Sequence, residues 1–187
     1  MDRCRGHRRK AMRCAAAIGL AVVGAGVADA RTPPLPDSVI EAMNEALADE
    51  RRALATYEVI LDRFGDVRPF VNIARAEQWH IDMLLPLYER YGVTPPADDT
   101  AVAESVYTED MLGLCQIGVQ AEIDNVRLYD ERLLPAVAAY PDISAVMQRL
   151  RNASQENHLP AFQRCVARGG QPGRGPGGGF GRQGRFR

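Results

Sequence analysis

The sequence predicts an all-α protein built as a four-helix bundle. Four stretches of the chain repeat apolar residues at steps of mostly three or four, which places them on one face of an α-helix. Proline and glycine residues separate these stretches, as expected for connections between helices. The chain has 187 residues, of which 46% are hydrophobic, and this is enough to build the core of one domain.

The first predicted helix covers residues 38–64. Asp37 or Ser38 can cap its start, and Gly65 follows its end. Its apolar stripe contains Ile40, Met43, Leu47, Glu50, Leu54, Tyr57, Leu61 and Phe64. Glu50 is thus a carboxylate in an apolar row. A small shift of register would expose it to solvent, but the stripe is unbroken on both sides, which favours an inward position.

The second predicted helix, residues 69–91, follows a short connection and therefore returns antiparallel to the first. Its stripe contains Phe70, Ile73, Glu77, His80, Leu84, Leu87 and Tyr91. Glu77 and His80 lie one turn apart on the inward face. A buried charge is costly unless it is paired or bound to a metal. A Glu-x-x-His sequence in a bundle core is typical of half of a carboxylate-bridged two-metal site.

Residues 92–107 join the second predicted helix to the third and include the loop signal Thr94-Pro95-Pro96. Fully extended, a segment of this length reaches on the order of 50 Å. A helix of about 27 residues is roughly 40 Å long. The segment can therefore form a long crossover between the second and third helices, although its length does not require one.

The third and fourth predicted helices cover residues 108–138 and 141–168. One face of the third carries Met111, Cys115, Gly118, Glu122, Val126, Tyr129 and Leu133. One face of the fourth carries Met147, Leu150, Ser154, His158, Ala161, Phe162 and Cys165. Pro135 is expected to kink or end the third helix. Pro86 and Pro160 are expected to bend the second and fourth helices locally.

Five polar stripe residues lie near the midpoints of their helices, and helices that span one bundle bring their midpoints to one layer. These residues are Glu50, Glu77, His80, Glu122 and His158. Carboxylate and imidazole ligands without thiolate suit iron or manganese, with zinc as an alternative. The spacing predicts a site for two metal ions. A site for a single ion is the alternative.

The fourth helix lacks the last ligand of a symmetric two-metal site. Gln155 stands three residues before His158, where a second Glu-x-x-His would have its glutamate. Glu156 is only two residues before His158, so at about 100° per residue it points roughly opposite and is expected to face solvent. The sixth ligand is therefore absent, or is supplied by water, Gln155 or Asp124.

Two cysteines occupy matching places on the third and fourth helices. Cys115 is seven residues before Glu122, and Cys165 is seven residues after His158. If the two helices are antiparallel neighbours with Glu122 level with His158, the cysteines are also level. We therefore predict a Cys115–Cys165 disulfide, the alternative being two buried free thiols.

The two ends of the chain differ from its centre. Residues 1–30 have an arginine-rich head, an apolar run and an Ala28-Asp29-Ala30 end, which predicts a signal peptide and an exported, periplasmic or secreted protein. An uncleaved membrane anchor is the alternative. Residues 31–168 form the predicted bundle. Residues 169–187 contain nine glycines among nineteen residues and predict a disordered Gly/Arg-rich tail.

The balance of charge limits the partners of the bundle. The chain has 23 basic and 24 acidic residues, and the signal peptide removes 6 and 2 of them, which leaves 17 against 22. The tail removes 4 more arginines, so the bundle has 13 basic against 22 acidic residues and a net charge of −9. The bundle therefore lacks the basic footprint of a nucleic-acid binder. Anionic surfaces are the candidate partners of the basic tail.

Two sets of residues carry a resemblance to a known family. The first set is Glu50, Tyr57, Phe64-Gly65-Asp66, Phe70, Asn72-Ile73, Glu77-Gln78, His80 and Tyr91-Gly92. The second set is Glu122-Ile123-Asp124, Ser154, Asn157-His158-Leu159 and Ala161-Phe162. Over residues 37–168 the chain resembles an uncharacterised ferritin-like domain family of exported bacterial proteins. The resemblance implies a four-helix ferritin-like bundle with a di-iron-type site, and it implies no particular reaction.

Three functions fit these features. The first is a metal-dependent oxidoreductase that binds O₂ or peroxide and oxidises Fe²⁺ or reduces peroxide. Tyr57 is its candidate catalytic residue, as an electron relay two turns from Glu50, and Tyr129 has the same relation to Glu122; core packing is the alternative role of both. The second function is metal binding without turnover. The third is a structural or partner-binding bundle whose polar layer fixes the register of its helices. The sequence leaves the oligomeric state open.

Overall fold

The computed structural model describes residues 34–171, which fold into an all-helical unit. The predicted signal peptide and residues 172–187 of the predicted tail lie outside the described residues. The helices are α1 (Asp37–Phe64), α2 (Phe70–Tyr91), α3 (Ser105–Thr108), α4 (Met111–Leu128), α5 (Leu134–Val137), α6 (Pro141–Ala153) and α7 (Leu159–Ala167). Within this part of the chain, no helix is long and apolar enough to cross a membrane.

The helices α1 and α2 form an antiparallel pair, and they confirm the first two predicted helices to within one residue at each end. At one end of the pair the ring of Tyr57 packs 5.8 Å from that of Phe70. At the other end the Tyr88 hydroxyl donates to Asn44 Oδ1 at 3.0 Å. The chain leaves α2 at Gly92, whose φ of 65° is a conformation that glycine adopts without steric cost.

The connection between α2 and α4 runs the length of the helices. α2 ends beside the start of α6, where the Tyr91 hydroxyl donates to Asp142 Oδ1 at 2.8 Å. α4 begins at the opposite end, beside the residues that follow α7, since a Cβ on Gly170 would lie 2.6 Å from Leu112 N. The segment therefore forms the long crossover that its length allows.

The start of the third predicted helix at residue 108 is wrong by three residues. α4 begins at Met111 because the side chain of Asp110 caps it, with Oδ1 accepting a hydrogen bond from Gly113 N at 2.8 Å. The preceding residues form the separate single turn α3. The capping aspartate is therefore the signal that sets this boundary.

Two π-helical turns interrupt the third and fourth helical segments. Tyr129–Leu133 joins α4 to α5, and Ser154–His158 joins α6 to α7. Each turn ends two residues before a proline, Pro135 or Pro160. A proline inside an α-helix lacks an N–H, and its ring clashes with the carbonyl four residues earlier. The wider π-turn relieves this conflict, so both segments continue past their prolines instead of ending.

The apolar core lies in two clusters on either side of a polar layer. One cluster includes Met43, Leu47, Leu84, Leu133, Met147 and Leu150. The other includes Tyr57, Ile60, Phe70, Leu114, Phe162 and both cysteines. Gly118 lets α4 approach α7 closely, because a Cβ at this position would lie 2.6 Å from the Phe162 ring. The polar layer between the clusters contains the predicted metal ligands.

The predicted disulfide between Cys115 and Cys165 is present, and it links α4 to α7. Both cysteines are completely buried in the second apolar cluster. The bond closes a loop across a sequence separation of 50 residues. A cross-link over this distance removes much conformational freedom from the unfolded chain.

We expect the double variant Cys115→Ala/Cys165→Ala to lose about 4 kcal/mol of unfolding free energy, as the loop-closure entropy of an unfolded chain predicts. Urea denaturation followed by circular dichroism measures this loss. The wild type should unfold at the same urea concentration as the variant once its disulfide has been reduced. A difference below about 1 kcal/mol between the oxidised wild type and the variant would contradict the prediction.

Candidate metal centre

The five predicted ligands come together in the polar layer, and each has 5% or less of its surface exposed. Glu50 comes from α1 and Glu122 from α4. Glu77 and His80 lie one turn apart on α2, as their spacing predicts. His158 is the last residue of the second π-turn. The structure thus brings four helical segments to one cluster of acids and imidazoles.

The first half of this cluster is arranged around His80. Its Nδ1 lies 2.9 Å from Glu50 Oε2 and 2.8 Å from Glu77 Oε2, so one ring nitrogen faces two carboxylates. These three residues form a buried group whose ligand atoms lie within 4.8 Å of one another. Ligands at about 2.1 Å from one ion and at right angles to each other are about 3 Å apart. The first group therefore has the dimensions of a metal site.

The second half of the cluster is arranged around His158. Its Nδ1 lies 3.3 Å from Glu77 Oε1 and 3.6 Å from Glu122 Oε1, and it is buried without a hydrogen-bond partner. A buried polar atom without a partner is costly. An ion between His158, Glu77 and Glu122 would satisfy that nitrogen, and these residues form the second candidate group.

Glu77 belongs to both groups and gives one oxygen to each, Oε2 toward His80 and Oε1 toward His158. The two imidazole rings stack, with centroids 5.6 Å apart. Two buried groups could therefore each hold a metal ion, with Glu77 between them. The donor set of carboxylates and imidazoles suits iron, manganese or zinc, and it leaves the identity of the metal undetermined.

Comparison with known proteins identifies the family of this chain and a similar solved structure. Residues 41–174 match the family described as Uncharacterized protein domain (DUF2202). The chain belongs to the DUF2202 family. The DUF2202 chain is also similar to the crystal structure of the hypothetical protein MJ0754 from Methanococcus jannaschii, with a TM-score of 0.62 and 21% sequence identity. The match covers 74% of this chain and 85% of that one, and it shows a shared fold. No curated protein matches the chain.

Two tyrosines of the DUF2202 chain hold the outer carboxylates in a reciprocal pattern. The Tyr129 hydroxyl donates to Glu50 Oε1 at 2.9 Å, and the Tyr57 hydroxyl donates to Glu122 Oε1 at 3.3 Å. Each tyrosine follows one site glutamate by seven residues and contacts the glutamate of the other helix. Tyr57 therefore contacts a candidate ligand, while the sequence did not indicate that each tyrosine reaches the glutamate of the opposite helix.

Both tyrosines remain neutral donors. Burial, followed by the charge of Glu122, raises the pKa of Tyr57 well above its usual value. Burial and the charge of Glu50 do the same to the pKa of Tyr129. A neutral hydroxyl that donates to a carboxylate fixes the orientation of that carboxylate, which is the role of outer partners in metal sites.

The pKa values of Glu50 and Glu77 are shifted in opposite directions. Burial and the charge of Glu77 raise the pKa of Glu50 to about 8. Burial alone would also raise the pKa of Glu77, but contacts with His158 and His80 outweigh it and lower that pKa to about 2. Glu77 is consequently the permanently charged residue at the centre of the cluster.

The histidines hold protons in the absence of metal. Burial alone would lower the pKa of His80, but Glu50 and Glu77 outweigh it and raise the value to about 9. Burial would likewise lower the pKa of His158, and the adjacent Glu122 and Glu77 raise it to about 10. Both rings are therefore positively charged near neutral pH.

Neither of the two side chains considered as the sixth ligand faces the centre. Gln155 is exposed because the π-turn puts residues four apart on the same face, which pairs His158 with Ser154. Asp124 is also exposed and accepts a hydrogen bond from Gln120 at 3.0 Å. Glu156 faces solvent, as predicted.

A polar network that the sequence did not indicate occupies the position next to the second group. The buried Ser154 hydroxyl lies 2.9 Å from Asn125 Oδ1, and Asn125 Nδ2 in turn donates to Asp49 Oδ2. These three residues come from three different helical segments of the DUF2202 chain. They tie α1, α4 and the second π-turn together beside Glu122.

Proposed function

We propose that this DUF2202 protein is an exported ferritin-like metalloprotein whose four long helical segments form a four-helix bundle around two metal ions. Glu50, Glu77 and His80 would hold one ion, and Glu77, Glu122 and His158 the other. The proposal is carried by Glu77, which offers a separate oxygen to each histidine group. The Nδ1 of His158 also supports it, because this atom is buried between Glu77 and Glu122 without a hydrogen bond of normal geometry to either. Iron or manganese fits this donor set best, with zinc as the alternative.

We further propose that the centre oxidises Fe²⁺, either with peroxide, which is thereby reduced to water, or with O₂, which takes two electrons and two protons to become hydrogen peroxide. Two Fe²⁺ ions each lose one electron, and hydrogen peroxide takes both electrons with two protons to leave two water molecules. The chain contributes three carboxylates that bind the cations and two neutral tyrosines that orient the outer carboxylates. Tyr57 is also close enough to Glu122 to relay electrons from the centre, the role predicted for it.

Metal binding without turnover is the second candidate function. Two observations favour metal binding without turnover. Gln155 occupies the position of a further glutamate and is exposed. In the described residues, Glu77 is therefore the one carboxylate within reach of both histidines. A centre with one bridging carboxylate can hold metal ions and yet have no redox activity.

Export is supported by the disulfide, because such bonds persist mainly in oxidising compartments. The predicted signal peptide would direct the protein to the periplasm or outside the cell. In that setting, Fe²⁺ and peroxide would reach the centre from the surrounding solution.

The test begins with the metal content of the protein purified after its native export. We expect about two equivalents of iron or manganese per chain by mass spectrometry, and about one equivalent in His158→Ala, which removes the ligand of the second group. The matched control is Asn157→Ala, an exposed neighbour on the same turn that should keep both ions. Protein that contains no bound metal would contradict both candidate functions.

Turnover separates the two candidates. A catalytic centre should oxidise many equivalents of added Fe²⁺ with peroxide or O₂, and the rate should fall in His158→Ala but not in Asn157→Ala. Stoichiometric binding of two ions without faster Fe²⁺ oxidation than in buffer would favour the storage function and contradict the oxidoreductase.

A further inference from the structure

A cavity of about 450 Å³ opens beside the candidate metal centre, between α1 and α4. Its polar end is formed by Glu50, Glu77 and Glu122 together with Tyr57. An apolar cavity of about 150 Å³ can already bind benzene, and small-molecule pockets in proteins measure about 300 to 1,000 Å³. The cavity is therefore large enough for an organic molecule much bigger than a peroxide or a metal ion.

The rest of the cavity wall is mainly apolar. It is formed by Ala53, Ile60, Phe70, Val106, Leu114 and Ile117. Glu50 and Ile60 are ten residues apart on α1, so the cavity extends on the order of 15 Å along the helix. An elongated molecule would therefore lie along α1 with one end near the three glutamates.

The crossover covers the apolar end of this cavity. Val106 of α3 lines it and is itself buried. Arg63 of α1 holds this turn in place by donating to the carbonyl oxygen of Glu109 at 3.0 Å and to that of Val106. Farther along the crossover, Arg51 donates to the carbonyl oxygen of Pro96 at 2.8 Å. The crossover is thus fastened to α1 as a wall of the cavity.

The charges around the cavity select against an anion. Asp49 and Asp124 stand at its polar side, where Arg52 pairs with Asp49, and the carboxylates of Glu77 and Glu122 close its inner end. These carboxylates outnumber the single arginine of the lining and therefore disfavour a negatively charged head group, while the apolar part of the wall offers no partner to a charge. An organic cation would compete for the carboxylates that the metal ions need.

We propose that the cavity binds an uncharged, mainly alkyl molecule, whose polar end lies beside Glu50, Glu77 and Glu122. The inference does not depend on the proposed function, because it concerns binding to the cavity and not a reaction at the metal centre. Burial of its alkyl chain against Ile60 and Ile117 supplies the binding energy, and this contribution does not require metal. The binding step can therefore be tested on metal-free protein.

The test uses three probes with the same chain and different charges: 1-octanol, octanoate and octylammonium. Metal-free protein with ¹³C-labelled isoleucine methyl groups is titrated with each probe and followed by NMR. We expect 1-octanol to shift the Ile60 and Ile117 methyl signals saturably and to bind at least about tenfold more tightly than octanoate. Ile143, which is fully buried in the other apolar cluster, is the internal control and should not shift.

A matched pair of variants locates the site. Ala53 lines the cavity, whereas Ala55 does not, so Ala53→Phe should weaken 1-octanol binding at least about tenfold and Ala55→Phe should leave it unchanged. If Ala53→Phe does not fold, contacts between 1-octanol and the Ile60 and Ile117 methyl groups in the wild type, seen as nuclear Overhauser effects, decide the question. Absence of those contacts overturns the proposal, and so does tighter binding of octylammonium, which would indicate an entrance for cations.

The two proposals can fail separately. A chain that holds two metal ions but does not bind 1-octanol keeps the proposed function and overturns this inference. A chain that binds 1-octanol in the cavity but holds no metal ion keeps this inference and overturns the proposed function.

Discussion

Replacing Glu77 by glutamine is expected to abolish the binding of both metal ions. The carboxylate of Glu77 is the one that contacts both histidine groups, at 2.8 Å from His80 Nδ1 and 3.3 Å from His158 Nδ1. Loss of an outer partner of a metal ligand already costs about 10- to 100-fold in affinity, so loss of a shared ligand should cost more than about 100-fold for each ion. Titration of the metal-free protein with Mn²⁺ or Fe²⁺, followed by calorimetry, measures both affinities.

Two further variants test whether the loss of binding is specific to the bridging position of Glu77. Glu50→Gln removes a ligand of the first group alone, so it should weaken one binding step and leave the other near its wild-type value. Glu89→Gln changes an exposed glutamate near the end of the same helix as Glu77 and should bind as the wild type does. Equal losses in Glu77→Gln and Glu50→Gln would contradict a bridging position of Glu77.

The helices and the polar layer could be predicted because each is a local pattern. The stripe on α2 continues through Glu77 and His80 without a shift of register, so these two side chains had to face the same neighbours as Ile73 and Leu84. Cys115 and Cys165 stand at matching distances from Glu122 and His158, which fixed the disulfide once the helices were taken as antiparallel. In both cases a short spacing in the chain determines a contact in space.

The π-turns could not be predicted from the same pattern. Helical steps of three and four assume 100° per residue, and a π-turn adds one residue without breaking the stripe. Pro135 and Pro160 indicated a local disturbance but not its form. This addition explains why Gln155 is exposed although it stands three residues before His158. The missing ligand is therefore a consequence of backbone geometry as well as of the residue type.

The reciprocal tyrosine contacts depend on how the helix pairs face each other. Tyr57 and Tyr129 each lie on the stripe of their own helix, and this property alone is compatible with ordinary core packing. Only the placement of α1 against α4 puts Tyr57 beside Glu122 and Tyr129 beside Glu50. Sequence spacing sets which face a residue occupies, whereas tertiary packing sets its partner on that face.

Metal affinity is expected to rise steeply with pH. In the metal-free protein, the pKa values of His80, His158 and Glu50 are raised to about 9, 10 and 8. The two imidazoles therefore hold a proton at pH 7, and Glu50 holds one in part of the molecules, on atoms that a metal ion needs in deprotonated form. Binding of two ions should release about two to three protons, so the product of the two affinities should rise about 100- to 1,000-fold per pH unit between pH 6 and pH 8.

The direction of this pH dependence is set by the metal-free state, which holds more protons than the metal-bound state. Because the raised pKa values belong to the metal-free state, acid favours that state and alkali favours the metal-bound state, and the dependence should flatten as pH rises through 8 to 10. Calorimetric titration in buffers with different ionisation enthalpies counts the protons directly, with a chelator titrated in the same buffers as the control for metal–buffer binding. Release of less than one proton would mean that the imidazoles are already neutral without metal. In that case the close carboxylates would no longer be held by charge, and the cluster would have to depend on hydrogen bonds from Tyr57 and Tyr129 for its geometry.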